Sequence, residues 1–169
     1  MTNVDSCIML IDDNLSDLGL IVRAFENNAM KNNILCMSNG HDALAYLMGD
    51  GIFADRQQNP YPSMLITDIN MPGVDGFEIL EYLQSNPAKE IIPTIVLSSS
   101  EDPDDIRIAY KLGAFSYLVK PYKFDDLCSQ IGSLINYWRI NKAPLKDQAG
   151  KHSNTESKGK LGERYSRPI

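Results

Sequence analysis

Five short apolar runs of strand character, separated by longer stretches with helical spacing, constrain this chain more than any other feature. The runs are Cys7 to Ile11, Ile34 to Met37, Met64 to Thr67, Ile92 to Leu97 and Tyr117 to Val119. They are nearly continuous in apolar residues, as strands covered on both faces require. Between them, Leu18, Ile21, Val22 and Phe25 recur at the i, i+3, i+4 spacing that lets a helix cover one face of a sheet, as do Ile106, Ala109 and Tyr110. The last such segment carries Leu127, Ile131, Leu134, Ile135 and Trp138. Strict alternation of strand and helix implies parallel strands, right-handed crossovers and helices on both faces. The expected fold is an α/β domain with a doubly wound five-stranded parallel sheet.

Local punctuation agrees with this division. Asp102 followed by Pro103 offers a helix N-cap and a first-turn proline, and Gly113 a stop for the same helix. The stretch from Gly49 to Ser63 is rich in turn formers and long for a connection, so a surface excursion is expected before the third strand. Apolar periodicity ends after Asn141. Residues 143–169 carry six basic and three acidic side chains, +3, which leaves −9 of the total −6 on residues 1–142. Residues 1–142 are read as one domain and 143–169 as a basic, disordered tail, a linker or appended extension ahead of a binding arm. No internal repeat or second domain is evident.

Composition excludes several classes. The acidic balance argues against nucleic acid as the principal ligand, because phosphate neutralisation needs gathered lysines and arginines. Cys7, Cys36 and Cys128 lie in apolar runs without CxxC spacing, which points to buried free thiols and not a disulfide framework or zinc site. Met1 leads into polar residues, and no apolar run approaches the ~18 residues of a membrane span. A cytoplasmic protein is expected.

In open parallel sheets, ligands bind beyond the carboxyl ends of the strands, where the winding reverses. Asp12, Asp13 and Asn14 follow the first strand, Asp68 the third, Ser98 to Ser100 the fourth, and Lys120 and Pro121 the fifth. Three carboxylates, a hydroxyl and an ammonium thus converge on one edge. Converging carboxylates repel unless a cation or proton intervenes. A few hard oxygen ligands suit magnesium, usually completed by water and phosphate oxygens. A carboxylate can also be the nucleophile in phosphoryl transfer, with the metal, Lys120 and Ser98 neutralising the transferred group. Singly, each feature has a plainer reading: Asp-Asp as a turn or cap, Asp68 to Gly73 as a turn, Lys-Pro as a loop corner, the serines as a helix start. Their joint placement after four of five strands favours a magnesium-dependent phosphoryl acceptor.

IMLIDDN, LITDINMPGVDGFEIL, PTIVLSSSED and YLVKPY resemble, in order, the motif blocks of the response regulator receiver domain. The resemblance spans residues 5 to about 140. It implies the flavodoxin-like strand order 2-1-3-4-5 and a phosphorelay function, with Asp68 accepting a phosphoryl group from a sensor histidine kinase. Asp13 is then the direct Mg2+ ligand, Asp12 acts mainly through metal-bound water, and the Asn70 main-chain carbonyl completes the protein ligands with Asp68. Ser98 matches the switch hydroxyl, Lys120 the phosphate-pairing lysine and Tyr117 the aromatic switch. The resemblance also implies a cis bond between Lys120 and Pro121.

The longer segment before the third strand is similar to stand-alone regulators paired with bacterial phytochromes. The polar tail is too short to form a DNA-binding unit, so a monomeric or homodimeric regulator acting on proteins is expected, with a phosphotransfer protein or an effector as target. Self-dephosphorylation is the only enzymatic activity expected. Two alternatives stay open: a constitutive interaction module with a degenerate site, and a Mg2+-dependent phosphohydrolase, against which Asn70 stands where a second acid would serve. A flavin site is disfavoured because no Ser/Thr/Gly-rich phosphate loop follows the first strand. His41 and His152 lack ligand-spaced partners. Tyr137 and Trp138 are assigned to packing on the sheet in preference to a partner surface.

Overall fold

The computed structural model describes residues 7–30, 33–85 and 92–141. Within them β1 (Ile8–Ile11), β2 (Ile34–Met37), β3 (Met64–Thr67), β4 (Thr94–Ser98) and β5 (Ser116–Val119) form one parallel sheet in the order β2-β1-β3-β4-β5. The helices are α1 (Leu15–Asn27), α2 (Gly40–Met48), α3 (Gly76–Ser85), α4 (Pro103–Lys111) and α5 (Phe124–Ile140). The doubly wound, flavodoxin-like architecture is therefore as expected. The proposed tail, 143–169, lies outside the described residues.

Alternation along the strands divides the core between two faces. Ile8, Leu10, Ile66, Ile95 and Leu97 pack with Leu18, Ile21 and Phe25 of α1 and Leu127, Ile131, Ile135 and Trp138 of α5. Met9, Ile11 and Leu65 face Ala43, Tyr46 and Leu47 of α2 and Ile79 of α3, while Val96 joins Leu80 and Ala109. Full burial of each large aliphatic side chain contributes about 1.5–3 kcal/mol, so the central strands anchor both layers. Trp138 is buried and Tyr137 half-exposed, so the tryptophan belongs to the core. No described helix is long and apolar enough to cross a membrane.

Several boundaries differ from the sequence reading. β4 begins at Thr94 because Pro93, without an N–H, enters the sheet only through its carbonyl, which accepts from Leu65 N–H. The strand continues to Ser98, which is fully buried. Tyr110, placed by periodicity on the sheet-facing side of α4, is 50% exposed, and Ala109 alone on that helix is buried. The thiols are free, but Cys36 is exposed on edge strand β2 and the other two are only partly covered. The Lys120–Pro121 bond is trans, not cis.

The excursion from Gly49 to Ser63 contains a 3-10 turn at Gly51–Phe53 and is tied to the end of α2. Arg56 donates to two carbonyls in the last turn of α2, Tyr46 O at 2.8 Å, which also accepts from Gly49 N–H, and Leu47 O at 2.9 Å. Its guanidinium lies over the Tyr61 and Tyr46 rings, and Tyr46 donates its hydroxyl to Pro60 O.

Candidate functional site

Sheet register brings the site together. Ile11 pairs with Thr67, so Asp12 and Asp68 leave adjacent strands at the same level, where the chain reverses its winding. Asp68 N–H donates to Ile11 O at 2.9 Å, and Asp12 N–H to Met37 O at 3.1 Å. Ser98 pairs with Val119, and Lys120 N–H donates to Ser98 O at 2.8 Å, which starts the Lys120 side chain at the same edge.

Backbone donors orient both buried acids. Asp68 Oδ1 accepts from Ile69 N–H at 2.6 Å and Asn70 N–H at 3.1 Å. Asp12 Oδ1 accepts from Asn14 N–H at 2.9 Å, and Asn14 in turn caps α1 by accepting from Ser16 and Asp17 N–H. Gly76 lets α3 approach the Asp68 backbone: a Cβ there would stand 2.2 Å from Asp68 O.

The Lys120 ammonium fills the space between the carboxylates. Nζ donates to Asp12 Oδ2 at 2.6 Å, Asp68 Oδ2 at 2.7 Å and Asp17 Oδ2 at 2.9 Å. All three N–H bonds of the ammonium are thereby used. Burial alone would pull Lys120 down, but the hydrogen bonds it donates to Asp12, Asp68 and Asp17 outweigh it and hold the ammonium above the ordinary lysine range. Burial pushes the Asp12 carboxyl up, Lys120 and Asn14 offset part of that, and the Asp68 charge adds to it. The two directions are compatible, because one ammonium among three carboxylates leaves the cluster at −2 when all are ionised.

That deficit fits a divalent cation. Two buried carboxylates already converge on one cationic atom, and Asp13 stands exposed beside them. Hard oxygen donors with an open side match magnesium or manganese. In this arrangement the ammonium takes the place between them, and no three His, Cys, Asp or Glu side chains among the described residues are drawn together as metal ligands.

The remaining expected residues sit one layer away. Ser98 is fully buried and its Oγ accepts from Ser100 N–H at 3.4 Å. Tyr117 packs against the Ile69, Leu80, Val96 cluster and donates its hydroxyl to Ser100 O at 3.0 Å, with Ser98 also in reach. Burial raises the Tyr117 phenol above its usual range, opposed by the Ser100 and Ser98 contacts. Asn70 is exposed and adds its N–H to Asp68. Sequence reasoning missed Asp17. The signal available was Asn14 as N-cap, which makes residue 17 a first-turn acid whose side chain leans back toward the helix N-terminus and the pocket.

Residues 8–132 match the response regulator receiver domain. The probable methanogenesis regulatory protein FilR2 of Methanothrix harundinacea is 35% identical over 78% of this chain and 82% of its own. The phosphorylated cyanobacterial phytochrome response regulator RcpA has a structure similar at TM-score 0.73, with 31% identity over 85% of this chain and 99% of that one. Response regulator Rcp1 of Synechocystis, in a structure described as Mn(2+)-bound, is similar at TM-score 0.73 with 26% identity over 82% of this chain and 97% of that one. The order of the strands, the acids at the switch point and the lysine closing over them agree with this match, and the chain belongs to the response regulator receiver family.

Proposed function

We propose that the chain is a single-domain response regulator that accepts a phosphoryl group on Asp68 and changes its protein-binding surface in response. The observation that carries the reading is the Lys120 ammonium 2.7 Å from Asp68 Oδ2, on a carboxylate whose other oxygen is fixed by two backbone N–H groups. A carboxylate so held needs no general base, since phosphoryl transfer depends mainly on in-line placement and charge neutralisation.

The donor would be a histidine kinase's phosphohistidine. An Asp68 oxygen attacks phosphorus, the Asp68 O–P bond forms as the P–N bond breaks, and the donor imidazole leaves with the electron pair and takes up a proton. Asp13 and Asp68, with the Asn70 main-chain carbonyl, would hold Mg2+ directly, and Asp12 through water. Bound there, the metal neutralises charge on the equatorial oxygens. Lys120 pairs with one phosphoryl oxygen and Ser98 reaches another. As Ser98 turns toward the phosphoryl group, Tyr117 loses one of its hydroxyl contacts and the surface of α4, β5 and α5 shifts. The output is a redistribution between two surfaces, read by an effector or a phosphotransfer protein in the cytoplasm.

The structures of RcpA, phosphorylated, and of Rcp1, manganese-bound, support the same chemistry for this chain. The test is covalent labelling by acetyl phosphate with Mg2+, followed by mass spectrometry of the intact chain. The parent gains one phosphoryl group and Asp68→Asn gains none. Undiminished labelling of Asp68→Asn would overturn the assignment, and no labelling of the parent by any small donor or kinase would favour a constitutive interaction module.

A further inference from the structure

The third carboxylate on Lys120 has no part in the chemistry described so far. Asp17 lies in the first turn of α1, and its Oδ2 accepts from Nζ at 2.9 Å across 103 residues of sequence. Its side chain is 30% exposed, against 3% for Asp12 and 9% for Asp68. Resting on the phosphoacceptor reading above, we propose that Asp17 is a positioning residue that keeps the Lys120 ammonium over Asp68 when the other two carboxylates are engaged elsewhere.

Asp12 and Asp68 are the two carboxylates on Nζ that a divalent cation would also engage, Asp68 directly and Asp12 through water, and Asp68 is the one a phosphoryl group would esterify. In either event their hold on Nζ weakens, through competition in the first case and loss of carboxylate charge in the second. A lysine side chain is long and flexible, with much rotamer freedom to regain once its partners let go. Asp17 is neither esterified nor a ligand in that scheme, so its bond to Nζ at 2.9 Å lies outside the exchange. It is also fixed from below: Asn14 accepts from Asp17 N–H at 3.2 Å, and Asn14 N–H is itself bonded to Asp12 Oδ1. One short run, Asp12 to Asp17, therefore supplies an acid of the pocket, the helix cap and the anchor for a lysine from the far end of the chain.

A plainer role exists for an acid at this position, since a negative charge in the first turn stabilises any helix through its dipole. That role does not depend on Lys120, so coupling between the two residues separates the readings.

The experiment compares the full chain with Asp17→Asn, Asp17→Glu, Lys120→Met and the double variant Asp17→Asn/Lys120→Met. Each is mixed with Mg2+ and beryllofluoride, and NMR follows the fluorine resonances of the adduct and the proton–nitrogen signal of the Lys120 ammonium. The parent is expected to give bound fluorine resonances and an observable ammonium. Asp17→Asn should displace one fluorine resonance, broaden the ammonium signal and slow acetyl phosphate labelling of Asp68 roughly 5-fold, a coupling within the range seen for interacting charged neighbours. Asp17→Glu should restore all three, and Asp17→Asn should change nothing further in the Lys120→Met background.

Identical spectra for parent and Asp17→Asn would overturn the proposal, as would the same fluorine displacement in the Lys120→Met background. Should Lys120→Met fail to fold, the ammonium signal in Asp17→Asn against Asp17→Glu decides alone. Absence of any bound fluorine in the parent would instead overturn the acceptor reading, and the role of Asp17 with it.

Discussion

Lys120 Nζ and Asp68 Oδ2 lie 2.7 Å apart although 52 residues separate them, and Asp12 Oδ2 meets the same nitrogen at 2.6 Å. Replacing Lys120 by Met keeps much of the side chain's bulk but leaves three acids without their ammonium. Breaking a buried pair from one side costs more than the pair is worth, about 3 kcal/mol where both groups are shielded. Lys120→Met should therefore melt well below the parent in EDTA. Added Mg2+ should raise its melting temperature more than the parent's, because no ammonium competes for Asp12 and Asp68. Calorimetry with and without the metal checks both. An equal Mg2+ response in parent and variant would show that lysine and metal do not compete.

Two helical glycines make opposite predictions. Gly76 lets α3 close on the loop after β3, since a Cβ there would stand only 2.2 Å from Asp68 O and 2.8 Å from the Ile69 Cα. Both atoms are backbone, so Gly76→Ala must shift the helix or the loop, and overpacking of this kind costs typically about 1–3 kcal/mol. Gly19, inside α1, has no neighbouring heavy atom within 4 Å of its ideal Cβ. There Gly→Ala should stabilise by about 0.5–1 kcal/mol through reduced backbone entropy in the unfolded chain. Urea unfolding with a common slope measures both, and Gly76→Ala should in addition slow labelling of Asp68.

What the sequence discloses depends on how local its cause is. The buried strands are legible because each is a continuous apolar run, and Asp12, Asp68 and Lys120 because each directly follows one. Ser98 is placed just after the fourth strand by its polarity, yet it closes that strand, because its backbone pairs with Val119 whatever its side chain. Tyr110 satisfies helical periodicity but lies outside, since α4 is narrow in its contact and buries only Ala109. Cys36 reads as core from its neighbours and is exposed because β2 forms the sheet's edge, a fact of topology and not of composition. Asp17 is only faintly legible as a pocket residue for the same reason. Its partner arrives from the end of β5, and the Asn14 cap marks it only as a first-turn acid, not as a contact of that lysine.

The excursion before β3 offers a pH-dependent signature. Tyr46 is buried, its hydroxyl donates to Pro60 O at 2.8 Å, and burial pushes its phenol up to about 12, with Arg56 offsetting part of the rise. An unfolded tyrosine ionises near its ordinary value of about 10. Below that pH both states keep the proton, and the contribution of Tyr46 is intact. Between about 10 and 12 the unfolded chain releases a proton that the folded chain retains, so stability falls as pH rises. Tyr46→Phe should remove this part of the alkaline slope in urea titrations. A slope unchanged in Tyr46→Phe would mean that other phenols carry it.

Arg56 holds the same excursion from the other side, with donors at 2.8 Å and 2.9 Å on the last carbonyls of α2 and the Tyr61 ring 4.6 Å from its guanidinium carbon. Hydrogen bonds from a charged donor to neutral acceptors contribute about 1.5–3 kcal/mol in favourable settings, and the ring contact about 0.5–1 more. Arg56→Ala should lose a large part of this, and Arg56→Lys should recover little, because a single ammonium cannot span both carbonyls in a planar fork. Hydrogen exchange would show the loss as faster amide exchange from Gly49 to Ser63, with β1 and β3 unchanged.

Ala29 is the one non-glycine residue with positive φ among those described, at 54°, just past the end of α1. Its N–H donates to Glu26 O at 2.9 Å and that of Met30 to Phe25 O at 3.3 Å, so the left-handed turn closes the helix by supplying its last carbonyls with donors. A residue with a Cβ is disfavoured there by about 1–2 kcal/mol, and glycine, which escapes that penalty, loses part of the gain to the greater freedom of the unfolded chain. Ala29→Gly should therefore raise stability by about 0.5 kcal/mol, whereas Ala29→Val, with its branch at Cβ, should lower it by more than Ala29→Gly gains. Thermal melts of the three chains order them Gly, Ala, Val. A valine variant as stable as the parent would show that the turn can relax out of the left-handed region, and that α1 ends there by tertiary packing alone.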